Sequence, residues 1–103
     1  MILTTTNSIE GREITEYLGL VYGTDIYLVG GLIGGGFGSQ EKLFGSAYSA
    51  AVDKMVSKAA EMGADAIVGI QVNYSSPGNV NNMIVVVTGT AVKTGYDDAL
   101  PEL

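Results

Sequence analysis

The sequence contains no cysteine, no histidine and no tryptophan among its 103 residues. Without cysteine the chain forms no disulfide and offers no thiolate nucleophile. Without histidine it has no imidazole to act as a general base near neutral pH. Together these absences exclude Cys–His and Ser–His catalysis and zinc-finger sites, and they leave only oxygen ligands for a metal ion.

Charged residues are also scarce, at 16% of the chain against roughly 25% in a typical soluble domain. Only five residues are basic and the formal net charge is −6. This balance argues against nucleic-acid binding, which depends on clustered lysine and arginine. No apolar run approaches the ~18 residues that a membrane-spanning helix needs. No signal peptide is recognisable, so we expect a cytoplasmic protein without a membrane partner.

The chain is nevertheless apolar for its size. Hydrophobic residues make up 47% of the sequence, and a length of 103 residues predicts a single domain. A monomer this small buries only a little over ~60% of the surface that its unfolded chain exposes. Because the surplus apolar surface needs cover, we expect the chain to associate with copies of itself.

Period-two alternation of apolar and polar residues predicts extended segments at both ends of the chain. Gly19 suggests either a bulge or a close backbone approach within its strand, and the triplet 23–25 predicts a break. The residues of the fourth segment expected to face the helix described next are Val68, Ile70, Val72 and Tyr74. The predicted segments cover residues 2–6, 14–22, 26–29, 66–74 and 83–93.

One amphipathic helix stands between the strand segments. Ser46 is predicted as its N-cap and Gly63 as the residue that ends it, with a short helical piece at 39–44. The apolar stripe recurs at the helical period. It consists of Tyr48, Val52, Met55, Val56, Ala59 and Met62. In the last strand, the unbroken apolar run 83–87 predicts burial on both faces, and we assign the second face to a neighbouring subunit.

Three separated stretches resemble the YbjQ-like family of small bacterial and archaeal proteins. They are "ILTTTNSIEGREITEYLGLVYG", "EMGADAIVGIQVNY" and "MIVVVTGTAV". The resemblance implies a single α+β domain over residues 1–95, with an acidic, frayed tail at 96–103. It also implies an antiparallel or mixed β-sheet packed on one long α-helix. Such a dodecin-like protomer assembles into a homopentameric ring, sometimes paired into a decamer.

The family carries a heavy-metal-binding label, for which this sequence gives no residue-level support. Soft metals favour thiolate and imidazole ligands, and the chain has neither. The chain also departs from the family at residues 30–45, where other members carry a more polar stretch. We therefore predict no metal site and no cofactor.

The glycine-rich stretch at residues 28–42, "LVGGLIGGGFGSQEK", overlaps the segment that differs from the family. It is the leading candidate site. Bare backbone N–H groups before a helix can hold a phosphate, but the stretch matches neither a P-loop nor a dinucleotide fingerprint. The competing interpretations are a packed connector, which the motif mismatch favours, and a membrane-seeking loop. If the stretch is a site, it binds a small anionic ligand. The residues predicted to contact that ligand are Gly34, Gly35, Gly36, Gly38, Ser39, Lys42 and Tyr48.

Three other groups have both a functional and a plain structural interpretation. The Thr4–Ser8 cluster could bind a polar ligand or simply form strand and turn. The same carboxylate from each subunit of a ring could meet its copies and bind a hard cation, or each carboxylate could simply lie in solvent. Tyrosines could stack on a planar ligand or pack in an interface. The carboxylates are Glu10, Glu13, Glu16 and Asp25, and the tyrosines are Tyr17, Tyr22, Tyr27, Tyr48 and Tyr74.

The function predicted from the sequence is that of a non-enzymatic homo-oligomeric ring. We expect it to bind or sequester a small anionic molecule, such as a nucleotide, at subunit interfaces. The alternatives are a structural or protein-interaction ring without a ligand, and a ring that binds hard metal cations. No nucleophile is paired with a base or an oxyanion donor in the sequence, so an enzyme is the least favoured class.

Overall fold

The structure is a computed structural model, and it describes residues 1–28, 37–75 and 82–96. One helix packs on a four-stranded sheet with strand order β1-β3-β4-β2, in which β1 is parallel to β3 and the other pairs are antiparallel. The predicted α+β class, with a mixed sheet on one long helix, is therefore confirmed. The elements are β1 (Ile2–Leu3), β2 (Arg12–Leu28), α1 (Phe37–Glu61), β3 (Ala66–Ser75) and β4 (Asn82–Tyr96).

Helix α1 is longer than predicted. It begins at Phe37, so the prediction of Ser46 as an N-cap is wrong, and the predicted short piece at 39–44 is part of one continuous helix. Its end was predicted correctly. Gly63 has a positive φ of 85°, and its N–H donates to the carbonyl of Ala60. The next N–H, of Ala64, donates to the carbonyl of Ala59. These two bonds form a Schellman motif, which satisfies carbonyls that the helix leaves unpaired.

Strand β2 runs without interruption through the predicted break at 23–25. Gly23 is buried beneath the helix, and a Cβ atom there would lie 1.8 Å from the carbonyl oxygen of Ala51. Gly23 therefore allows the helix to lie close to the strand, and it does not form a turn. The bulge predicted at Gly19 is confirmed, because the register with β4 shifts between Tyr17 and Gly19.

A second bulge, in β3 between Val68 and Gln71, changes which side chains face the helix. Gly69 has a φ of 62° there, so Ile67 and Ile70 both reach the helix side. Val68 packs on the opposite face, where it was not predicted, with Ala66 and Val92. The prediction was correct for Ile70, and also for Val72 and Tyr74, which lie opposite the helix-side core residues Val87 and Val85. It was wrong for Val68, because simple alternation does not hold across a bulge.

The main core lies between α1 and the sheet. The largest fully buried side chains are Met55, Ile67, Val85, Val87 and Val92, and all but Val92 belong to the helix-side core. Smaller helix residues, Ala47, Ala51 and Ala59, allow the helix to lie close on the strands. Of the apolar run 83–87, only Val85 and Val87 are fully buried, and the alternate residues are partly accessible.

The sheet face turned away from α1 is mostly uncovered, and we call it the outer sheet face. Ile2, Ile9 and Ile14 cover one end of it. Elsewhere Leu20 is 85% exposed and Ile26 is 61% exposed, in the middle of paired strands. By register and alternation, the uncovered part consists of Leu20, Tyr22, Thr24 and Ile26 on β2 and Ile84, Val86, Thr88 and Thr90 on β4.

Candidate functional site

A cleft of about 370 Å³ opens between α1 and the N-terminal segment, and we call it the α1 cleft. Its helix wall carries three members of the predicted apolar stripe, Tyr48, Val52 and Met55. Its volume lies within the range of about 300–1,000 Å³ that is usual for small-molecule sites. The lining residues are Leu3, Thr4, Thr5, Tyr48, Val52, Met55 and Ile70.

The N-terminal wall of the α1 cleft is held by hydrogen bonds within the threonine cluster. The Thr6 hydroxyl donates to the carbonyl of Ser8 at 2.7 Å, so the Thr4 hydroxyl is the donor in its 2.7 Å bond to Thr6 Oγ1. The main chain of the cluster pairs with β3 through the N–H groups of Gly69 and Ile70. Much of the cluster is therefore structural, which agrees with the plainer of the two interpretations.

Thr5 differs from its neighbours, because it lines the α1 cleft and its hydroxyl makes no hydrogen bond to another described residue. The same is true of the phenol of Tyr48. These two hydroxyls are the groups of the cleft that are free to bond a bound molecule or water.

Tyr48, on the helix wall of the α1 cleft, belongs to a cluster of four aromatic rings. Phe44 and Tyr48 lie with their ring planes 5° apart and their centroids 6.3 Å apart. Tyr27 and Tyr74 meet Phe44 edge to face, at centroid distances of 6.1 and 5.9 Å. Such pairs contribute roughly 0.5–1.5 kcal/mol each beyond the area that they bury. The cluster therefore restricts the orientation of the Tyr48 ring in the cleft.

A second concavity, of about 480 Å³, lies on the outer sheet face, and we call it the outer-face cavity. Leu20 and Val86 give it an apolar floor, and Thr88, Thr90 and Gln71 supply polar groups. Tyr22 also lines it, and the Lys58 ammonium lies 3.5 Å from the centroid of that ring. A cation at this distance from an aromatic ring is attracted to its π-electrons.

Lysines of α1 also bind the edge strand β2. Lys54 Nζ donates to the carbonyl of Thr24 at 2.8 Å and lies 3.4 Å from Asp25 Oδ1. The pair is substantially exposed, so it adds little stability. Together Lys54 and Lys58 place positive charge beside β2, at the border of the outer sheet face.

Only some of the residues predicted to contact an anionic ligand lie in the described part of the chain. Gly34, Gly35 and Gly36 lie outside the described residues. Gly38 and Ser39 belong to the first turn of α1. Lys42 is exposed and is not among the residues that line either cavity, whereas Tyr48 lines the α1 cleft.

The predicted carboxylates do not form a metal centre in the described parts of the chain. Glu10, Glu13 and Glu16 are exposed, and Asp25 pairs with Lys54. Within residues 1–28, 37–75 and 82–96, no three acidic side chains are close enough to hold a metal ion together. In the same ranges, no helix combines the length and hydropathy needed to cross a bilayer.

The sequence did not indicate several residues of the two cavities. Leu3 and Ile70 enter the α1 cleft because the N-terminal segment pairs with β3, a contact between distant parts of the chain. Val52 and Met55 could have been found, since they lie four and seven residues after Tyr48 on the helix. The outer-face cavity depends on the register of β2 with β4, which alternation alone does not fix.

Comparison with solved structures supports the same fold. A crystal structure of a protein from Pediococcus pentosaceus superimposes with a TM-score of 0.69. The match covers 92% of this chain and 98% of that one, at 20% sequence identity. At that identity the likeness concerns the fold alone.

Sequence comparison identifies closer relatives. A UPF0145 protein of Anoxybacillus flavithermus is 40% identical in an alignment that covers 90% of this chain and 97% of that protein. A UPF0145 protein of Actinobacillus pleuropneumoniae serotype 5b is 41% identical, over 89% of this chain and 97% of that protein. A family model described as "putative heavy-metal-binding" matches residues 1–95. The chain therefore belongs to the YbjQ-like family, as its sequence motifs suggested.

Proposed function

We propose that the protein is a non-enzymatic homo-oligomeric ring that binds a small anionic molecule, such as a nucleotide, at its subunit contacts. The observation that carries the proposal is the uncovered outer sheet face. Leu20 and Ile26, on strand β2, are 85% and 61% exposed, while the other face of the sheet forms the core. Sheet faces of this kind are normally packed against another layer, and this chain supplies no second layer for the uncovered part in its described residues.

The dimensions of the protomer support self-association. Its accessible surface is 6908 Å², against about 5,500 Å² expected for a compact monomer of this mass. Its radius of gyration is 17.2 Å, against about 13 Å for a compact domain of 100 residues. Both differences describe an elongated chain, and its large surface is available for the proposed contacts between copies.

The two sheet edges favour a ring over a two-fold dimer. The outer edge of β2 is unpaired by any described strand, and so is that of β3 at Gln71–Ser75, beyond the reach of β1. These edges lie on opposite sides of the sheet. If each copy contacts the next through these two different edges, the copies form a closed ring when the rotation between neighbours divides a full turn evenly. The number of subunits, five or ten, is taken from the family resemblance.

The outer-face cavity supplies the chemistry for an anionic ligand. Its lining includes the hydroxyls of Thr88 and Thr90 and the amide of Gln71. The ammonium of Lys58, which lies over the ring of Tyr22, provides a positive charge beside it. A ring would close this open cavity with a neighbouring subunit. We propose no heavy-metal function, because the sequence lacks cysteine and histidine.

The absence of a catalytic role is part of the proposal. None of the described side chains is a buried polar or charged group, whereas burial and charged neighbours are the usual means of adjusting a catalytic pKa. The hydroxyls and carboxylates of the described residues are arranged for surface contacts and hydrogen bonds rather than for proton transfer in an enclosed site.

The assembly is tested by sedimentation of wild type and the variant Leu20→Glu. We expect wild type to sediment as a multiple of 10.7 kDa and Leu20→Glu to dissociate, because it places a charge in the proposed contact. Ser57→Glu is the matched control, since Ser57 is exposed on α1. A folded wild-type monomer, or equal dissociation of the two variants, contradicts the proposed contact.

The ligand is tested separately by calorimetry with AMP as the probe. We expect binding to wild type and weakening by Lys58→Met. The comparison variant is Lys42→Met, which removes the lysine that the sequence favoured. If Lys42→Met alone weakens binding, the site lies near the glycine-rich stretch. If AMP produces no heat with the assembled wild type, the proposal of an anionic ligand is wrong, and the proposed ring is not contradicted.

A further inference from the structure

The α1 cleft has a chemistry different from that of the outer-face cavity, and we infer that it is a second site, for a neutral planar aromatic molecule. The cleft is formed within one chain, so this inference goes beyond the proposed function and does not depend on the ring. Three observations carry it: the absence of charge in the lining, the oriented ring of Tyr48, and the two free hydroxyls.

The lining excludes a charged ligand. Every described side chain that lines the α1 cleft is apolar or bears a hydroxyl, and none of these is acidic or basic. An ion placed there would lose part of its hydration without gaining a counter-charge, which is unfavourable. The apolar contribution comes from Leu3, Val52, Met55 and Ile70. A neutral molecule with a largely apolar body is therefore the compatible class.

The Tyr48 ring selects a planar aromatic body. Phe44 lies nearly parallel to it and is itself fixed edge to face by Tyr27 and Tyr74. Tyr48 is 39% exposed and lines the cleft, so part of its ring is available for stacking or edge contact. Because this ring is already oriented, a bound aromatic molecule meets it with little further loss of side-chain freedom.

The two free hydroxyls fix the orientation of such a molecule. Thr5 Oγ1 and the Tyr48 phenol each can donate and accept one hydrogen bond, and neither bonds to another described residue. Thr4, although it lines the same cleft, has its hydroxyl engaged with Thr6. A molecule with one polar atom on the edge of an aromatic ring system matches this arrangement.

The test uses a matched pair of probes, 2-naphthol and its saturated counterpart decahydro-2-naphthol, with methyl NMR spectra of the assembled protein. We expect 2-naphthol to shift the methyl signals of Leu3, Val52, Met55 and Ile70. Leu20 and Val86, on the outer sheet face, should not shift. We expect binding of the saturated probe to be weaker, since it cannot stack on Tyr48.

Two variants examine the role of the ring. Tyr48→Leu should weaken 2-naphthol binding about tenfold, the fold-change that corresponds to the upper range of aromatic pair energies. Tyr17→Leu is the control, because Tyr17 is 70% exposed and lines neither cavity. The inference is overturned if no cleft methyl shifts, if both probes bind equally, or if the two variants behave alike. Sedimentation of the same samples reports the ring independently.

Discussion

Gly23→Ala tests the close approach of helix and sheet on which the whole protomer is built. Gly23 is buried in β2, directly beneath α1. An added Cβ would lie 1.8 Å from the carbonyl oxygen of Ala51 and 2.9 Å from the amide nitrogen of Met55. Both obstacles are helix backbone, which cannot rotate aside as a side chain can. The helix must therefore move away from the strand.

The displacement sets the size of the effect. Ordinary contact for a Cβ begins near 3.4 Å, so the helix must retreat by about 1.6 Å from Gly23. A radial gap of about 0.5–1 Å already forfeits a quarter to a half of the dispersion energy of a contact. Overpacking of this kind costs about 1–3 kcal/mol. The clash is with backbone, so we take the upper end of this range, about 3 kcal/mol. Because replacing glycine returns roughly 0.5–1 kcal/mol of backbone entropy, we predict a net loss of about 2 kcal/mol.

The assay is urea unfolding at a fixed protein concentration, since the stability of an oligomer depends on concentration. Gly45→Ala is the matched control, because no atom lies within 4 Å of the Cβ that it adds to the exposed face of α1. It should raise the free energy of unfolding by roughly 0.5–1 kcal/mol. The account of helix packing fails if Gly23→Ala is as stable as wild type, or if both variants change stability in the same direction.

Four further predictions concern the bulge in β3, two polar contacts at the surface and the absence of a structural metal. At Gly69, where φ is 62°, Gly69→Val should destabilise the protein by about 1–2 kcal/mol, and by more than Gly69→Asn, in urea titrations. The exposed Asp65 carboxylate accepts from the Thr94 amide and hydroxyl, so Asp65→Ala should cost about 1 kcal/mol, with measurable coupling to Thr94→Val in a double-mutant cycle. Lys54→Met, which breaks the exposed pair with Asp25, should lower stability by less than about 1 kcal/mol. EDTA should leave the melting temperature unchanged, and a clear decrease would indicate a structural metal ion.

The elements that the sequence predicted well are those governed by local rules. The end of α1 follows from a single glycine at C′, which is the residue that the left-handed conformation requires. The bulge at Gly19 likewise follows from a glycine within an alternating strand. The mixed sheet on one long helix was predicted through the family resemblance together with the period of the apolar residues.

The predictions that were wrong concern long-range contacts. Gly23 looks like a turn residue in the sequence, but the helix that lies on it is almost thirty residues away along the chain. Val68 was wrongly assigned to the helix side, because the prediction assumed unbroken alternation and the bulge at Gly69 interrupts it. One glycine does not reveal how far the register will shift. Ser46 resembles an N-cap, yet the helix continues through it, because packing can override local propensity.

In the candidate sites too, local patterns in the sequence predicted some residues, whereas long-range contacts placed the others. Tyr48 was selected from the sequence and does line a cleft, whereas Leu3 and Ile70 reach that cleft only through the pairing of the N-terminal segment with β3. Lys58 was not selected, although it is the lysine that reaches Tyr22 at the outer-face cavity. Its place there depends on how α1 crosses β2, which composition and spacing do not determine.

The central claim is that the uncovered outer sheet face is a contact between copies of this chain. Native mass spectrometry of the protein purified from its own cells tests it most directly, because it reports the number of subunits and any bound mass together. The account predicts a single assembly of five or ten chains of 10.7 kDa, with additional mass where a small molecule is held. A folded monomer of 10.7 kDa, stable at the same concentration, would contradict it.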